Sequence, residues 1–409
     1  MSSYNEKLSS ILDKHAPLKA KKVTIHPDAK WINSDVRLAK SDKRKAERKW
    51  RNTQLEVHRQ IYVEKRDEFN KVVNNSKRNH IQETIIESSN EQGALFKTMD
   101  KLFYKTKAYA LPSHEDAEEL CNRMADFFSE KIKRIHEGLA ELQRQPFQLD
   151  EDAEFPTHSS CFNEFTPVTE ADIEKIIKQS ASKSCCLDPI PTQLLKQCLD
   201  ILVPIITRIV NQSFTTATVP TSFKIAAVTP ILKKANLIAE ILKNFRPISN
   251  LPYVSKVLEK VASKHLRAHN DVNGLREKFQ SAYREFHSTE TALLRINHNL
   301  LQAMDEKKCV MMCMLNLSAA FDTVNHEKLL NRMSTSLGVR GQALEWLKSY
   351  LTGRRQFVAI KDARSREHIK TCDVPQGSIL GPNLYEDYSA CPVGSFFRKH
   401  NIFIPYLCR

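Results

Sequence analysis

The sequence predicts an α+β fold preceded by a basic, mostly helical region. Between Lys30 and Arg78, basic residues outnumber acidic residues by about two to one, and Pro is rare, which favours helices. Beyond residue 160, amphipathic helical patterns are mixed with short apolar strands, an order typical of α+β domains. A stretch rich in Pro, acids and small polar residues over 140–165 lies between the two. We therefore predict a basic, linker-like region over 1–160 and a folded domain over 161–409.

The overall charge indicates a polyanionic partner. The 409 residues carry a formal net charge of +14 with a pI near 9.2, and 41% of them are hydrophobic, which is enough for at least one core. Such a balance is typical of proteins that bind nucleic acid. General solubility is the alternative explanation of the same charge.

Secreted and membrane classes do not fit the sequence. No signal-peptide pattern is visible, and no apolar run reaches the roughly 18 residues of a membrane span. The ten cysteines are irregularly spaced, without a Cys-x-x-Cys pair or a Cys and His metal cluster. We expect a nuclear or cytoplasmic protein that is not secreted, has no membrane partner, and buries reduced thiols in its core.

One or two long amphipathic helices are predicted within the basic region, over "KSDKRKAERKWRNTQLEVHRQIYVEKRDEFNKVV". Its apolar residues recur at helical spacing, and charged residues cover the rest of the circumference. A row of cations there could contact nucleic-acid phosphates, and a solvated helix face is the alternative. The candidate nucleic-acid-binding residues are Lys43, Arg44, Lys45, Arg48, Lys49 and Arg51.

The folded domain is predicted to begin with two helices. Thr169 precedes an apolar helical pattern and Asp172 follows three residues later, which predicts a capping box. A second helix is expected over "TQLLKQCLDILVPIITRIVNQSF", with a kink at Pro204.

The strands and remaining helices follow. "KIAAVTPILKK" predicts a strand, and the chain is expected to turn at Pro247 and Pro252 before another helix. "CVMMCML" from Cys309 predicts a strand covered on both faces. Two helices then end near Gly338 and Gly353, and "RRQFVAIK" with "HIKTCDVPQG" predicts a pair of hairpin strands.

Six segments resemble the reverse transcriptase of non-LTR retrotransposons, the LINE elements of the jockey-like branch. They are "KIAAVTPILKK", "NFRPISNLPYVSKVLEK", "FQSAYREFHSTETALL", "LNLSAAFDTVNH", "SYLTGRRQFV" and "VPQGSILGPNLY". They occur in the order found in that family, and the basic region resembles the segment that links the family's endonuclease and polymerase. A counterpart of the endonuclease domain is not found.

The resemblance implies a partial right-hand polymerase, with fingers and an incomplete palm but no complete thumb. It also implies an RNA template, a DNA primer and Mg²⁺ ions held by palm aspartates. Mg²⁺ prefers hard anionic oxygens shared with substrate phosphates, and two such ions can activate the attacking hydroxyl and stabilise the leaving oxygen. This chemistry is an expectation from the family.

The position that matches the family's first catalytic aspartate is Asn316, at the end of the apolar strand. Asn keeps one carbonyl oxygen but removes the charge, so we expect a loss of at least roughly 10²–10³-fold in rate. Asp322 matches the family's second acid of "AFD", with a role at the start of the next helix as the alternative. No intact metal site is therefore expected.

The family's Tyr/Phe-Ala-Asp-Asp motif is also not matched, and the sequence at that place reads "IPYLCR". This predicts a chain truncated before the motif. Glu386 and Asp387 lie too close to the Pro-Gln-Gly segment to replace those acids. We expect both of them to be solvated.

The resemblance implies further nucleotide contacts. Phe321 matches a residue that packs beneath the incoming sugar, and Gln376 and Gly377 match the segment that approaches it. Arg246 matches a fingers arginine that holds triphosphate oxygens, and Lys224 and Lys233 could assist it. Arg284 and His287 are candidates to face the template. For a single Phe the alternative is a core position, and for a single Arg or Lys it is a surface charge.

The sequence thus predicts a reverse transcriptase domain that resembles an RNA-directed DNA polymerase but is inactive in this chain. The alternative function is a nucleic-acid-binding remnant without catalysis.

Overall fold

The computed structural model of the chain describes residues 1–17, 31–88, 111–143, 161–234, 236–276, 280–310, 312 and 319–389. The chain divides into two compact units. One is formed by residues 18–110, and the other by residues 1–17 together with residues 111–409. The predicted boundary at residue 160 remains a prediction.

The smaller unit contains a helical hairpin, as the basic amphipathic pattern predicted. Helix α2 spans Ser34–Thr53 and α3 spans Glu56–Ser88. Asn33 caps α2 by accepting a hydrogen bond from the Val36 amide at 3.0 Å, a common way to satisfy a free amide in the first turn. Gln54 ends α2 in the left-handed region, with φ of 53°. The chain can therefore reverse between the two helices.

Aromatic contacts hold the two helices of the hairpin together. The rings of Trp50 and Tyr62 stack with centroids 5.4 Å apart, and the Lys43 ammonium lies 5.1 Å from the centre of the Phe69 ring. Val36 is buried, whereas most of the charged side chains in the hairpin are exposed or half-buried. Packing therefore uses one face of each helix, as expected for an amphipathic pair.

The larger unit combines helices with a small mixed sheet, which agrees with the α+β class. Its helices within the described ranges are α1 (Ser2–His15), α4 (Ala117–Gln143), α5 (Glu170–Gln179), α6 (Thr192–Gln197), α7 (Leu199–Thr215), α8 (Tyr253–Val272), α9 (Thr289–Asp305), α10 (His326–Thr335), α11 (Gly341–Leu351) and α12 (381–389). Short 3₁₀ turns occur at Thr221–Lys224 and Leu242–Asn244.

The strands are β1 (Ile225–Leu232), β2 (Phe245–Asn250), β3 (Arg354–Ile360), β4 (Ala363–Arg364) and β5 (His368–Lys370). The sheet has the order β2-β1-β3-β4, and β5 also pairs with β3. β1 is antiparallel to β2 and parallel to β3, with Ala227 opposite Asn250 and Val228 opposite Val358. The predicted hairpin is confirmed, because β3 and β5 are antiparallel with Gln356 opposite His368.

One local prediction about proline is wrong, and the kink at Pro204 remains a prediction. Pro247 lies within strand β2 instead of forming a turn, which is possible because β2 is an edge strand and edge positions tolerate a missing amide. Pro204 lies inside α7, and the helical run breaks earlier, at Cys198 with φ of −108°. Since α7 begins at Leu199, the amide that Pro204 lacks affects only the carbonyl of the exposed Asp200.

Other local predictions are confirmed. Thr169 and Asp172 form the predicted capping box of α5, with both reciprocal bonds present. The strand in "KIAAVTPILKK" is β1, and the two helices before β3 are α10 and α11.

A large hydrophobic core lies among helices α5, α7, α8, α10 and α11. Trp346 of α11 is fully buried, and its indole N–H donates to the Ser213 hydroxyl at 3.0 Å. A second cluster lies between α4 and the sheet, where Leu120, Met124 and Phe128 contact Val228 and Val358. Helix α4, which precedes residue 160, thus covers the sheet.

The prediction of a covered strand in the apolar run from Cys309 needs correction. Cys309, Val310 and Met312 are exposed and lie outside any strand, although they belong to the apolar run predicted as a covered strand; the other residues of that run lie outside the described residues. An apolar run of this length does not by itself fix a strand, because a partner strand must also be available.

The prediction that the cysteines are buried in the core is mostly wrong. The seven cysteines within the described residues are free, but only Cys121 is buried, and Cys161, Cys186 and Cys309 are exposed. Within the same ranges, no helix is long and apolar enough to cross a membrane.

Candidate functional site

Asn316, which stands at the predicted metal position, lies outside the described residues. The structure resumes just after it with a turn in which Ala319 has φ of 54°. The Asp322 amide donates to the Ala319 carbonyl at 2.9 Å. Asp322 does not cap the following helix, because Asn325 does so by accepting from the Lys328 amide at 2.9 Å. The alternative role of Asp322 at the helix start is therefore wrong.

Asp322 is half-buried and belongs to a small charged cluster. Burial raises the pKa of its carboxyl, the positive charge of Lys370 opposes this shift, and the Asp373 carboxylate reinforces it. Lys131 of α4 also lowers the pKa of Asp322. The pKa of Asp322 is thus set by neighbours that come from α4, from the end of β5 and from the segment after β5.

Asp373 is a charged residue of this site that we did not predict from the sequence. It is buried, and its Oδ2 lies 3.4 Å from the Lys370 ammonium. Its φ of 123° falls where residues other than Gly are strained. Its amide donates to the Val324 carbonyl at 3.1 Å, so the segment that follows Asp322 is bound to the segment that precedes Pro-Gln-Gly. The signal in the sequence that could have identified Asp373 was an acidic residue directly before "VPQG".

The described residues do not fit a magnesium site. Among them, no group of three or more His, Cys, Asp or Glu side chains could hold a metal ion. Asp322 and Asp373 face the Lys370 ammonium, which supplies the positive charge that a metal would otherwise provide. Mg²⁺ needs several oxygen ligands, and this cluster offers two carboxylates beside a cation.

Phe321 lies in an aromatic group at the same place. Its ring centroid is 4.9 Å from that of Tyr385, and it meets Tyr283 edge-on at 6.4 Å. The Phe321 carbonyl accepts from the Val374 amide at 2.9 Å. The ring is half-buried, so Phe321 is fixed by packing and keeps part of its surface open.

The Pro-Gln-Gly turn docks on the edge of strand β2. The Ser249 amide donates to the Gln376 carbonyl at 2.8 Å. Gly377 has φ of 122°, and a Cβ there would lie 2.5 Å from the Ser249 carbonyl oxygen. Gly377 is therefore required for a close approach of the protein's own backbone. Arg246 is exposed on the same strand, about 10 Å from Ser249 along the chain.

Arg246 belongs to a group of cations. It lies opposite Ile231, and Lys233 two residues further on is a diagonal neighbour on the same face. The Lys233 ammonium donates to the Lys243 carbonyl at 2.7 Å. Burial lowers the pKa of Lys233 first, and the charges of Lys131, Arg246 and Lys243 lower it further. Converging positive charges of this kind attract phosphate oxygens.

Lys224 does not join this group. It precedes β1, about 20 Å along the strand from Ile231. Its ammonium lies 3.4 Å from the Ser349 hydroxyl, and burial, followed by the charge of Arg354, lowers its pKa. Lys224 thus contacts α11 and does not assist Arg246.

Arg284 and His287 are placed differently from each other. The Arg284 side chain is largely buried and lies 3.7 Å from Glu386 Oε1. His287 is exposed, and its Nδ1 lies 2.9 Å from the Glu285 carbonyl. A contact with the template remains a prediction for both residues. Only for Arg284 would that contact require the side chain to move away from Glu386.

The prediction that Glu386 and Asp387 are solvated is wrong. Glu386 is buried, and burial raises its pKa against the opposing charges of Arg276, Arg284 and Arg267. Burial, reinforced by the Glu386 charge, raises the pKa of Asp387 to about 7. The Asn270 amide donates to Asp387 at 3.2 Å. We did not predict the nearby arginines, Arg267, Arg276 and Arg284, whose positive charges explain why two acidic side chains can be buried here.

In the basic hairpin, the six candidate cations differ in their surroundings. Lys43 lies over Phe69, Lys45 is 3.6 Å from Asp42, and Arg51 is 2.7 Å from Glu47. Arg44, Arg48 and Lys49 are exposed. Helix α2 carries eight basic and three acidic residues, whereas α3 carries six of each. The positive charge of the hairpin is thus concentrated on α2.

Comparison with known proteins finds a family match over the segment that carries most of this site. Residues 231–394 match the reverse transcriptase (RNA-dependent DNA polymerase) family. The chain is 30% identical over 273 residues to the "Probable RNA-directed DNA polymerase from transposon X-element" of Drosophila melanogaster, an alignment that covers 67% of this chain and 28% of the relative.

Two further relatives give the same result. The chain is 26% identical over 370 residues to the "RNA-directed DNA polymerase from mobile element jockey" of Drosophila funebris, with 85% of this chain and 38% of the relative covered. It is 28% identical over 233 residues to the "Probable RNA-directed DNA polymerase from transposon BS" of Drosophila melanogaster, covering 55% and 25%. The chain therefore spans between about a quarter and two fifths of the length of these relatives.

Proposed function

Because residues 231–394 form a reverse transcriptase domain that resembles the RNA-directed DNA polymerases of non-LTR mobile elements, we propose that this chain handles nucleotides and template-primer as the fingers and part of the palm of such a polymerase. The observation that carries the proposal is the docking of the Gln376 turn on the strand that bears Arg246. Through this contact Gln376, which is predicted to approach the nucleotide sugar, is held against the strand of Arg246, which is predicted to bind triphosphate oxygens. The partners are an RNA template and a DNA primer, in the nucleus or cytoplasm.

Three observations support the nucleotide-binding part of this proposal. Arg246 is exposed in a group with Lys233, Lys243 and Lys131, which favours polyphosphate. Phe321 is held by two tyrosine rings, which suits a steric test of the sugar. Gln376 lies half-buried beside the strand end.

We propose further that the chain does not catalyse primer extension. The residue at the family's first metal-binding position is Asn316, and an amide has no charge with which to attract Mg²⁺. The acid that follows it, Asp322, lies near the Lys370 ammonium, whose charge competes with a metal for the same carboxylate. Loss of one charged ligand reduces the rate by at least roughly 10²–10³-fold.

The experiment is primer extension on an RNA template with Mg²⁺ and deoxynucleotides, using the unaltered chain and Asn316→Asp. Asn331→Asp is the matched control, because Asn331 is exposed on α10 and the substitution adds the same charge elsewhere. We expect no extension by the unaltered chain or the control. Extension by Asn316→Asp, but not by the unaltered chain or the control, would show that Asn316 is the residue that prevents catalysis. Extension by the unaltered chain would overturn the proposed inactivity.

A second function is favoured by the charge of the hairpin. The concentration of positive charge on α2, with Arg44, Arg48 and Lys49 exposed, supports binding of RNA or DNA phosphates without catalysis. The test is binding of single-stranded RNA across a salt series, with Arg44→Glu/Arg48→Glu compared with the matched pair Lys71→Glu/Arg78→Glu on α3. Only the α2 pair is expected to weaken binding strongly and reduce the salt dependence.

A further inference from the structure

The turn over residues 375–380 is fastened on two sides. On one side, the Ser249 amide of β2 donates to the Gln376 carbonyl, and Gly377 lies against the Ser249 carbonyl. On the other side, the turn leads directly into α12 (381–389), and the amides of Ile379 and Leu380 just before this helix need acceptors. Those two acceptors come from α8, the helix that follows β2 in the chain.

Glu259 of α8 supplies this second attachment. It is buried, with 1% of its surface exposed, in a helix whose buried residues are mostly apolar, such as Leu258 and Ala262, and it lies one turn from the buried Ser255 and Ser263. Its Oε2 accepts from the Ile379 amide at 2.6 Å and from the Leu380 amide at 3.3 Å. A carboxylate at the N-terminus of a helix satisfies free amides and interacts favourably with the helix dipole.

The other Glu259 oxygen is also engaged. Oε1 accepts from the Tyr350 hydroxyl of α11 at 3.1 Å. Tyr350 is in turn bound by Arg354, which donates to its carbonyl at 3.0 Å and whose guanidinium lies 4.8 Å from the centre of its ring. Arg354 is 2% exposed. A buried carboxylate is tolerated only when it is hydrogen-bonded and its charge is balanced, and this network provides both.

We propose that Glu259, supported by Arg354, is a positioning residue for the nucleotide site. Strand β2 carries Arg246, α8 carries Glu259, and only Leu251 and Pro252 separate the two elements. Because both attachments of the turn come from this one β2–α8 unit, Gln376 keeps a fixed position relative to Arg246. The unit therefore sets where Gln376 meets the nucleotide sugar, and with it how strictly the site, with Phe321 beneath the sugar, distinguishes a deoxyribose from a ribose. The part of this proposal that concerns the nucleotide sugar rests on the proposed function.

The first test is hydrogen exchange of the amides of residues 379 and 380. Glu259→Gln keeps one acceptor oxygen and the side-chain size. Leu266→Ala is the control, because Leu266 is buried in α8 about two turns beyond Glu259 and its loss lowers overall stability. We expect exchange at these two amides to accelerate by about tenfold or more in Glu259→Gln, relative to Leu266→Ala under conditions of matched global stability. Equal protection in the two variants would overturn the attachment.

The second test separates positioning from mere stability. Binding of dUTP, UTP and inorganic tripolyphosphate is compared for the unaltered chain, Glu259→Gln, Glu259→Ala and Leu266→Ala. We expect Glu259→Gln to reduce the preference for dUTP over UTP while tripolyphosphate binding stays unchanged, and Glu259→Ala to reduce it further. An equal loss for all three ligands would reduce Glu259 to a structural residue and overturn the proposal.

The two tests distinguish this inference from the proposed function. If the unaltered chain binds neither dUTP nor tripolyphosphate, the proposed function fails, and the role of Glu259 in sugar choice fails with it. Exchange at residues 379 and 380 would still decide whether Glu259 holds the turn.

Discussion

In the hairpin of residues 31–88 the basic side chains lie mainly at the surface, whereas in the sheet-bearing unit the charged groups Glu259, Arg354 and Asp373 are buried. Surface charges contribute little to folding, since water already solvates them and salt screens them. Buried charges must be compensated, so each one fixes the geometry of its partners. The hairpin is thus suited to bind a flexible polyanion, and the sheet-bearing unit to hold a defined site.

The largest effect on stability is expected from a substitution of Arg354. Replacing it with Met keeps an unbranched apolar stem but removes the guanidinium and leaves the buried Glu259 carboxylate without a compensating charge. We expect a loss of about 3–5 kcal/mol in the free energy of unfolding, measured by denaturant titration. Arg355→Met is the control: Arg355 is more exposed and pairs with Glu367 at 3.0 Å, so its loss is expected to stay below about 1 kcal/mol. Equal losses would remove the contrast between buried and surface charge.

The next effect concerns pH and Asp387. Its pKa is raised to about 7, above the value of about 3.9 for an unfolded chain. Between these pH values the unfolded state has released the proton and the folded state retains it. Stability therefore falls as pH rises, with a slope of at most about 1.4 kcal/mol per unit. The Asp387→Asn variant should lack this contribution. Parallel stability curves for the two proteins from pH 4 to pH 8 would contradict the prediction.

A smaller effect, in this case a gain in stability, is expected for Asp373→Gly. Glycine accepts a φ of 123° without strain, and the substitution removes a buried carboxylate whose pKa is raised by burial. We expect a gain of about 1 kcal/mol at neutral pH, and less at acidic pH, where the carboxyl is protonated. Asp362→Gly, at an exposed turn position, is the control and is expected to lose stability. A loss for Asp373→Gly would show that its contacts with Lys370 outweigh the strain.

The smallest effect on stability is expected in the hairpin. Replacing Arg44, Arg48 and Lys49 with Gln should change the free energy of unfolding by less than about 0.5 kcal/mol, because these side chains are exposed. The same variant should bind RNA more weakly, with a shallower dependence on salt. A large loss of stability would mean that these cations support the hairpin itself.

Much of the local structure could be predicted from the sequence, because it follows from nearby residues. The capping box at Thr169, the pair of strands β3 and β5, and the hairpin helices depend on spacing along the chain. The strand character of Pro247 could not be predicted, since it depends on β2 lying at an edge of the sheet. The burial of Glu386 and Asp387 depends on arginines from distant segments.

The candidate site was only partly predictable, for the same reason. Resemblance to a family identified Gln376, Gly377, Phe321 and Arg246 as candidates, and the structure brings the Gln376 turn to the strand of Arg246. It does not bring Lys224 there. Glu259 was overlooked because an acid in an amphipathic helix usually faces water, and only the fold shows that it meets the amides of residues 379 and 380.

The most direct measurement is primer extension by the unaltered chain on an RNA template, run beside a binding assay with the same template-primer. The account predicts binding that weakens with added salt and no extension above the protein-free control, since Asn316 provides no charged ligand for Mg²⁺. Extension by the unaltered chain would contradict the account and would mean that the metal-binding acids lie elsewhere.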